Sequence, residues 1–219
     1  MAQYNPNTHL IYNGYDAHTF YPKTLVIESF DITFIGKYYS HYQDCPRLLF
    51  AALQSLIATD QIAVDEVKVH FYTNAVGQAD FAKLAKEYTL DNVVRVHNYI
   101  PRSEIVDRMH HSSIMLVLTT PIKQYGTHGM MGTKFYEILG VEKPCLCLNS
   151  DEECLAEAIK NTHAGLAATH VEDVKAFILE KYQEWKAKGY THQLVINKEQ
   201  FTRQHEAEQF EQVFLQCIK

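Results

Sequence analysis

The chain has 219 residues, 47% of them hydrophobic and 21% charged, an ordinary balance for a globular protein with a full core. Its formal charge is -6 and it has no lysine- or arginine-rich run, which argues against a nucleic-acid partner because phosphate neutralisation needs a basic patch. No apolar run reaches transmembrane length and Met1-Ala-Gln-Tyr-Asn-Pro6 is too polar for a signal peptide, so, with five scattered cysteines read as reduced thiols, the expected place is the cytosol or the inner face of a membrane.

The predicted elements alternate along the chain. Asp31-Ile-Thr-Phe-Ile-Gly36 reads as a buried strand ending in a glycine turn. From Pro46 to about Ala58, Leu48, Leu49, Ala52, Leu53, Leu56 and Ile57 keep helical spacing, with Cys45 at the opening. Val67 to Tyr72 alternates as a strand, and a helix follows from about Gln78 to Tyr88. Val93 to His97 is a third strand, stopped near Pro101. The helix from Ser103 to His111 closes on His110-His111, where cationic character suits the dipole. Ile114 to Leu118 is continuously apolar, as expected of a strand covered on both faces. Later come a strand at Cys145 to Leu148, a helix capped by Ser150 with Glu153 completing a capping box, a short strand near Gly165 to Ala168, and a helix from Val171 to about Lys188. Outside these, His9 to Asp16 reads as a short strand and turn. Lys198 to Lys219 reads as one long amphipathic helix carrying Phe201, Phe210, Val213, Phe214 and Ile218.

Strands alternating with helices imply an α/β fold with a doubly wound, Rossmann-like parallel sheet of about six strands. The whole chain, 1–219, reads as a single domain with its core at 30–188, a lead-in segment at 1–29 and a terminal helix at 198–219. In such sheets ligands bind beyond the carboxyl ends of the strands. Lys37, Asn74, Tyr99 with Ile100, and the loop from Gly126 to Glu137 each follow a successive strand.

The loop is the most informative stretch. Gly126-Thr-His-Gly-Met-Met-Gly132 is broken by glycines, which let a backbone approach a ligand closely. It runs into a helix opened by Thr133 and Lys134, where free N–H groups and the positive dipole end favour an anion. Glu137 lies one turn on beside Lys134, and Phe135, Ile138 and Leu139 take the core side. A phosphate at Thr133 and Lys134 with a hydroxyl-rich group at Glu137 suits a sugar nucleotide; an ordinary surface ion pair is the plainer reading of Lys134 and Glu137. Tyr38, Tyr39 and Tyr42 suit stacking on a ligand and core or surface packing equally. Cys145 and Cys147 share a strand face but lack companion ligands, so no metal or cofactor is expected. No nucleophile pair or catalytic group can be assigned from spacing.

Four pieces in order resemble the C-terminal, donor-nucleotide-binding domain of GT-B glycosyltransferases of the group-1, glycogen-synthase-like family. They are Leu10-Ile-Tyr-Asn-Gly-Tyr-Asp16 with Phe20, Phe34-Ile-Gly-Lys37, Val96-His-Asn-Tyr-Ile-Pro101, and Gly132-Thr-Lys-Phe-Tyr-Glu-Ile-Leu-Gly-Val-Glu-Lys-Pro144. The resemblance covers about Leu10 to Asn149 by motif and the rest by element order.

That resemblance implies roles. Gly36 and Lys37, the Gly132 and Thr133 amides and Lys134 would meet the diphosphate, Tyr99 and Ile100 would hold the base through backbone contacts, and Glu137 would bind the ribose hydroxyls. The family's second glutamate, eight residues before the ribose glutamate, is replaced here by Gly129 with His128 beside it, at the donor-sugar end. The usual second basic residue after the glycine turn has no clear counterpart, and Arg47 lies further on. The implied activity is a hexosyltransferase, retaining in its stereochemistry, moving a hexose from a nucleoside diphosphate sugar to a saccharide or lipid-linked acceptor. The family's N-terminal acceptor domain has no counterpart in these residues, so the chain alone is expected to be inactive in transfer. A non-catalytic nucleotide- or partner-binding module of the same fold, and half of a GT-B sugar-nucleotide epimerase, are the alternatives.

Overall fold

The computed structural model describes residues 8–39, 46–119, 131–150 and 153–217. Among them, six strands form one sheet: β1 (Phe30–Ile35), β2 (Val67–Tyr72), β3 (Val94–His97), β4 (Ile114–Leu118), β5 (Cys145–Leu148) and β6 (Gly165–Ala168). Their order is β3-β2-β1-β4-β5-β6, and every neighbouring pair is parallel. The helices are α1 (Arg47–Ala58), α2 (Ala75–Glu87), α3 (Arg102–His110), α4 (Thr133–Val141), α5 (Cys154–Thr162), α6 (Val171–Lys188) and α7 (Arg203–Cys217), the last preceded by a 3-10 turn at Lys198–Phe201. This is the Rossmann-like, doubly wound α/β sheet that the alternation predicts.

The two-residue period of a strand sorts each side chain to one of two cores. Phe30, Ile32 and Phe34 join Val69, Phe71, Leu116, Leu146 and Leu148 on the face packed by α1, α2 and α6. Met115, Cys145 and Cys147 face the other way, against Phe135, Ile138 and Leu139 of α4 and Leu155 and Ile159 of α5. On that second face the β1 end is polar, with Asp31 and Thr33 buried. Their neighbours satisfy them: the Ser113 amide donates to the Asp31 carbonyl at 2.7 Å, and the Ser112 hydroxyl to Thr33 Oγ1 at 2.7 Å.

Several boundaries differ from the sequence reading. Helix α2 starts at Ala75, ahead of Gly77, a residue of low helix propensity. Packing overrides that propensity, because a Cβ on Gly77 would lie within 2.9 Å of Thr73 and of Tyr38. Helix α5 opens at Cys154 with Glu153 in the capping position, so Ser150 is not its cap. Cys145 and Cys147 are core residues, whereas Cys154 and Cys217 are exposed on their helices; Cys45 and Tyr42 lie outside the described residues. The strand expected at His9 to Asp16 reduces to one bridge, between Tyr15 and Thr202.

The long terminal helix is also broken. Asn197 turns the chain with a φ of 54°, and Phe201 plunges into the core beside Phe135 and Tyr136. Thr202 then returns to extended backbone, and the Tyr15 main chain receives it: the Tyr15 amide donates to the Phe201 carbonyl, and the Arg203 amide to the Tyr15 carbonyl, both at 2.9 Å. Burial of one aromatic ring outweighs continuation of the helix. Helix α7 has no buried residue, and Phe210, Phe214 and Leu215 are 43%, 61% and 55% exposed.

Candidate functional site

Because all six strands are parallel, their carboxyl ends lie along one edge. Connections leave β1 toward β2 and β3 on one side, while β4 leads to β5 and β6 on the other, so the topological switch point lies between β1 and β4. The ladder there pairs only Ile32 with Ile114 and Thr33 with Met115, against six pairs between β1 and β2. It stops short of both strands' carboxyl ends.

The predicted residues distribute around this edge as follows. Gly36 and Lys37 follow β1 directly; the Gly36 amide donates to the Tyr72 carbonyl at 3.1 Å. Lys37 is exposed, its ammonium 4.6 Å from the Tyr39 ring. Tyr39 is exposed, while Tyr38 is a core residue against Phe81, ring centroids 4.8 Å apart. Arg47 pairs with Glu87 at 3.2 Å, tying α1 to α2. Tyr99 and Ile100 form the turn after β3, closed by Pro101 at the start of α3; Tyr99 is 54% exposed. His128 and Gly129 lie outside the described residues.

Helix α4 carries the densest group. Gly132 precedes it in extended conformation, and Thr133 and Lys134 form its first turn. Lys134 Nζ lies 2.5 Å from Glu137 Oε2, and both side chains are about one-quarter exposed or less. Phe135, Ile138 and Leu139 are fully buried on the opposite side and anchor the helix to β4 and β5. Gly132 has a φ of -69°, which any residue adopts. A Cβ there would meet nothing within 4 Å among the described residues, so neither backbone strain nor packing demands a glycine. At the far end, Glu142 adopts a φ of 53° and binds Lys198 at 2.5 Å and His192 at 2.8 Å, which fastens α4 to the segment leading to α7.

Polar groups that the sequence reading passed over lie beneath the turn after β3. His97 Nε2 and His70 Nδ1 are 3.0 Å apart, His70 Nε2 is 3.4 Å from Asp31 Oδ2, and the rings of His70, Tyr72 and His97 stack. Burial, with the nearby positive groups, pushes His97 below the ordinary histidine range. His110 corrects the expectation of a cationic helix end: it is buried, its Nε2 lies 2.9 Å from the Tyr21 carbonyl, and burial lowers its pKa. No group of three or more metal-ligating side chains occurs among the described residues.

A parallel, doubly wound sheet with its topological switch point between β1 and β4 defines a Rossmann-like class of fold. No protein-family model and no curated protein matches the chain. Solved structures do. Sucrose-phosphate synthase from Thermosynechococcus elongatus matches 96% of this chain over 53% of its own length, at 16% identity and a TM-score of 0.65. HepE of Anabaena, solved with UDP and glucose, matches 95% over 57% of its length, at 13% identity and a TM-score of 0.68. The C-terminal domain of the group 1 glycosyl transferase LpcC from Francisella tularensis matches 81% of this chain over 99% of that domain, at 11% identity and a TM-score of 0.52. The chain thus spans about half the length of the first two and has the fold of the C-terminal half of a GT-B glycosyltransferase. At these identities the likeness is one of fold.

Proposed function

We propose that this chain is the donor-binding half of a glycosyltransferase that moves a hexose from a nucleoside diphosphate sugar to a saccharide or lipid-linked acceptor. The observation that carries the reading is that Lys37, Tyr99 with Ile100, and the helix opened by Gly132 follow β1, β3 and β4 of one parallel sheet with the fold of a GT-B half. Lys37, Lys134 and the Gly132 and Thr133 amides would neutralise the diphosphate, first as bound donor and then as leaving group. Glu137 would accept hydrogen bonds from the two ribose hydroxyls, and the backbone of Tyr99 and Ile100 would read the base edge. Lys134 and Glu137 satisfy each other, which would hold both rotamers near the positions a donor needs. His128 and Gly129 would lie toward the donor sugar. Retention of configuration is the expected stereochemistry. An acceptor-binding domain would face the carboxyl edge of the sheet, and the exposed Phe210, Phe214 and Leu215 of α7 would supply an apolar surface for it.

The test is a calorimetric and thermal-shift panel of UDP, GDP, ADP and their hexose conjugates. A ligand at a hundred times its Kd is expected to stabilise the fold by about 2.7 kcal/mol. If no nucleotide in the panel binds, the reading fails.

A further inference from the structure

Two loops of the proposed donor site come from strands that do not touch each other. Lys37 follows β1 and Tyr99 follows β3, with β2 between them. Asn74, at the carboxyl end of β2, ties the first of these in place. Its Oδ1 accepts from the Tyr38 amide at 3.0 Å, and its Nδ2 donates to the Tyr38 carbonyl at 3.2 Å. A side-chain amide here does what a neighbouring strand would do, and it extends the β1–β2 pairing past its last backbone pair, Ile35 with Tyr72. The orientation of the amide is set by the Thr73 hydroxyl, which donates to the same Oδ1 at 3.0 Å. Lys37 is therefore held on both sides, by the Gly36 amide on the Tyr72 carbonyl and by Tyr38 on Asn74.

The tie continues toward the base turn. The Thr73 amide donates to the His97 carbonyl at 3.1 Å. Gln78 Nε2, in the first turn of α2, lies 3.0 Å from both the Thr73 carbonyl and Asn98 Oδ1, and Asn98 directly precedes Tyr99. One polar chain, Tyr38–Asn74–Thr73–Gln78–Asn98, thus spans three strand ends.

We propose that Asn74 is a positioning residue that sets the place of Lys37 relative to the Tyr99 turn, and so the fit of the diphosphate of a nucleoside diphosphate. The proposal rests on the donor-site reading above. Asparagine suits the position because its amide both accepts and donates. Aspartate keeps the acceptor and loses the donor, and leucine keeps the shape and loses both.

The experiment titrates UDP and UMP into the 219-residue chain and its variants, UDP being the nucleotide that HepE was solved with. Asn74→Leu is expected to weaken UDP about tenfold, the loss of one charge-assisted contact, and to leave UMP within about twofold. Asn74→Asp is expected to weaken UDP and spare UMP in the same way, and it serves where the leucine variant does not fold. In a Lys37→Ala background, either substitution is expected to add no further loss, because it acts through that lysine. Equal losses for UDP and UMP, additive effects with Lys37→Ala, or unchanged UDP binding would each overturn the proposal. Wild-type chain that binds none of UDP, GDP and ADP overturns the donor-site reading instead, and that outcome is seen before any substitution is made.

Discussion

At the scale of single residues, the Lys134–Glu137 pair and Gly132 make the sharpest claims. Lys134→Ala and Glu137→Ala are each expected to weaken nucleotide binding by about 1.5–3 kcal/mol, the range for hydrogen bonds to charged groups. Their melting temperatures are expected to stay near wild type, because a partly exposed pair of this kind contributes about 0–1 kcal/mol to stability. Unchanged isotherms for both would return the pair to a surface ion pair. Gly132→Ala separates folding from binding more cleanly, since its conformation is ordinary and its surroundings open. Stability within about 1 kcal/mol of wild type is expected from this capping position, with nucleotide affinity sharply reduced by a methyl group where a phosphate must approach. Lys143 is a different case. Burial pulls its pKa from 10.5 down to about 8, with Glu184 opposing the shift. Between those values the unfolded chain holds a proton that the folded chain has released, so stability rises with pH across that window, and the penalty is fully present below pH 8. Lys143→Met is expected to raise stability at pH 7 by about 1–4 kcal/mol and to flatten the rise, as denaturant melts at pH 7 and 9.5 would read. Glu184 keeps Lys181 and Lys188 as partners in that variant. The sequence made Lys134 and Glu137 legible as neighbours because helical spacing is local. Asn74 was legible only as a residue at a strand end, because its clasp on Tyr38 joins positions 36 apart in the chain.

At the scale of elements, hydrophobic patterning foretold most of the sheet. Val67–Tyr72, Ile114–Leu118, Cys145–Leu148 and Gly165–Ala168 are strands with the expected ends, and Val171–Lys188 is the expected helix. The failures came where a distant contact overrode local preference: Gly77 inside α2, and Phe201, whose burial interrupts what reads as one helix. Gly165 is the element-scale test of the sheet's β6 edge. Its φ is +152°, and a Cβ there would lie 2.0 Å from the Cys145 carbonyl oxygen. Gly165→Ala is therefore expected to break the β5–β6 pairing and lower stability by more than the about 1 kcal/mol typical of a point substitution, measured by chemical denaturation. Helix α7 gives the opposite expectation. With no buried residue, Phe214→Ser is expected to stay within about 0.5 kcal/mol of wild type, as for an ordinary surface position. A large loss of stability would mean that α7 packs on the sheet domain after all.

At the scale of the whole molecule, the chain has a Rossmann-like fold similar to one half of a GT-B glycosyltransferase. The 219-residue chain is expected to bind a nucleoside diphosphate without multiple-turnover transfer to an acceptor, because orientation of the acceptor can supply about 7–11 kcal/mol of barrier lowering. Robust turnover by the purified chain would overturn this and place an acceptor site within these residues. The thin β1–β4 ladder carries a further consequence, for folding. Strands β1 to β3 and β4 to β6 each join neighbours along the chain, whereas the contact between the two groups closes a loop of 82 residues between Asp31 and Ser113. Loop closure of that length is slow to form and easy to lose. At its lower end the seam is stitched by Ser112 and Ser113, but at its upper end no strand pairing crosses it among the described residues. A nucleotide lying across the upper end would be the missing stitch. Hydrogen exchange in the β1 and β4 amides is then expected to slow on binding more than exchange in β3 or β6, so that the ligand completes the sheet it occupies.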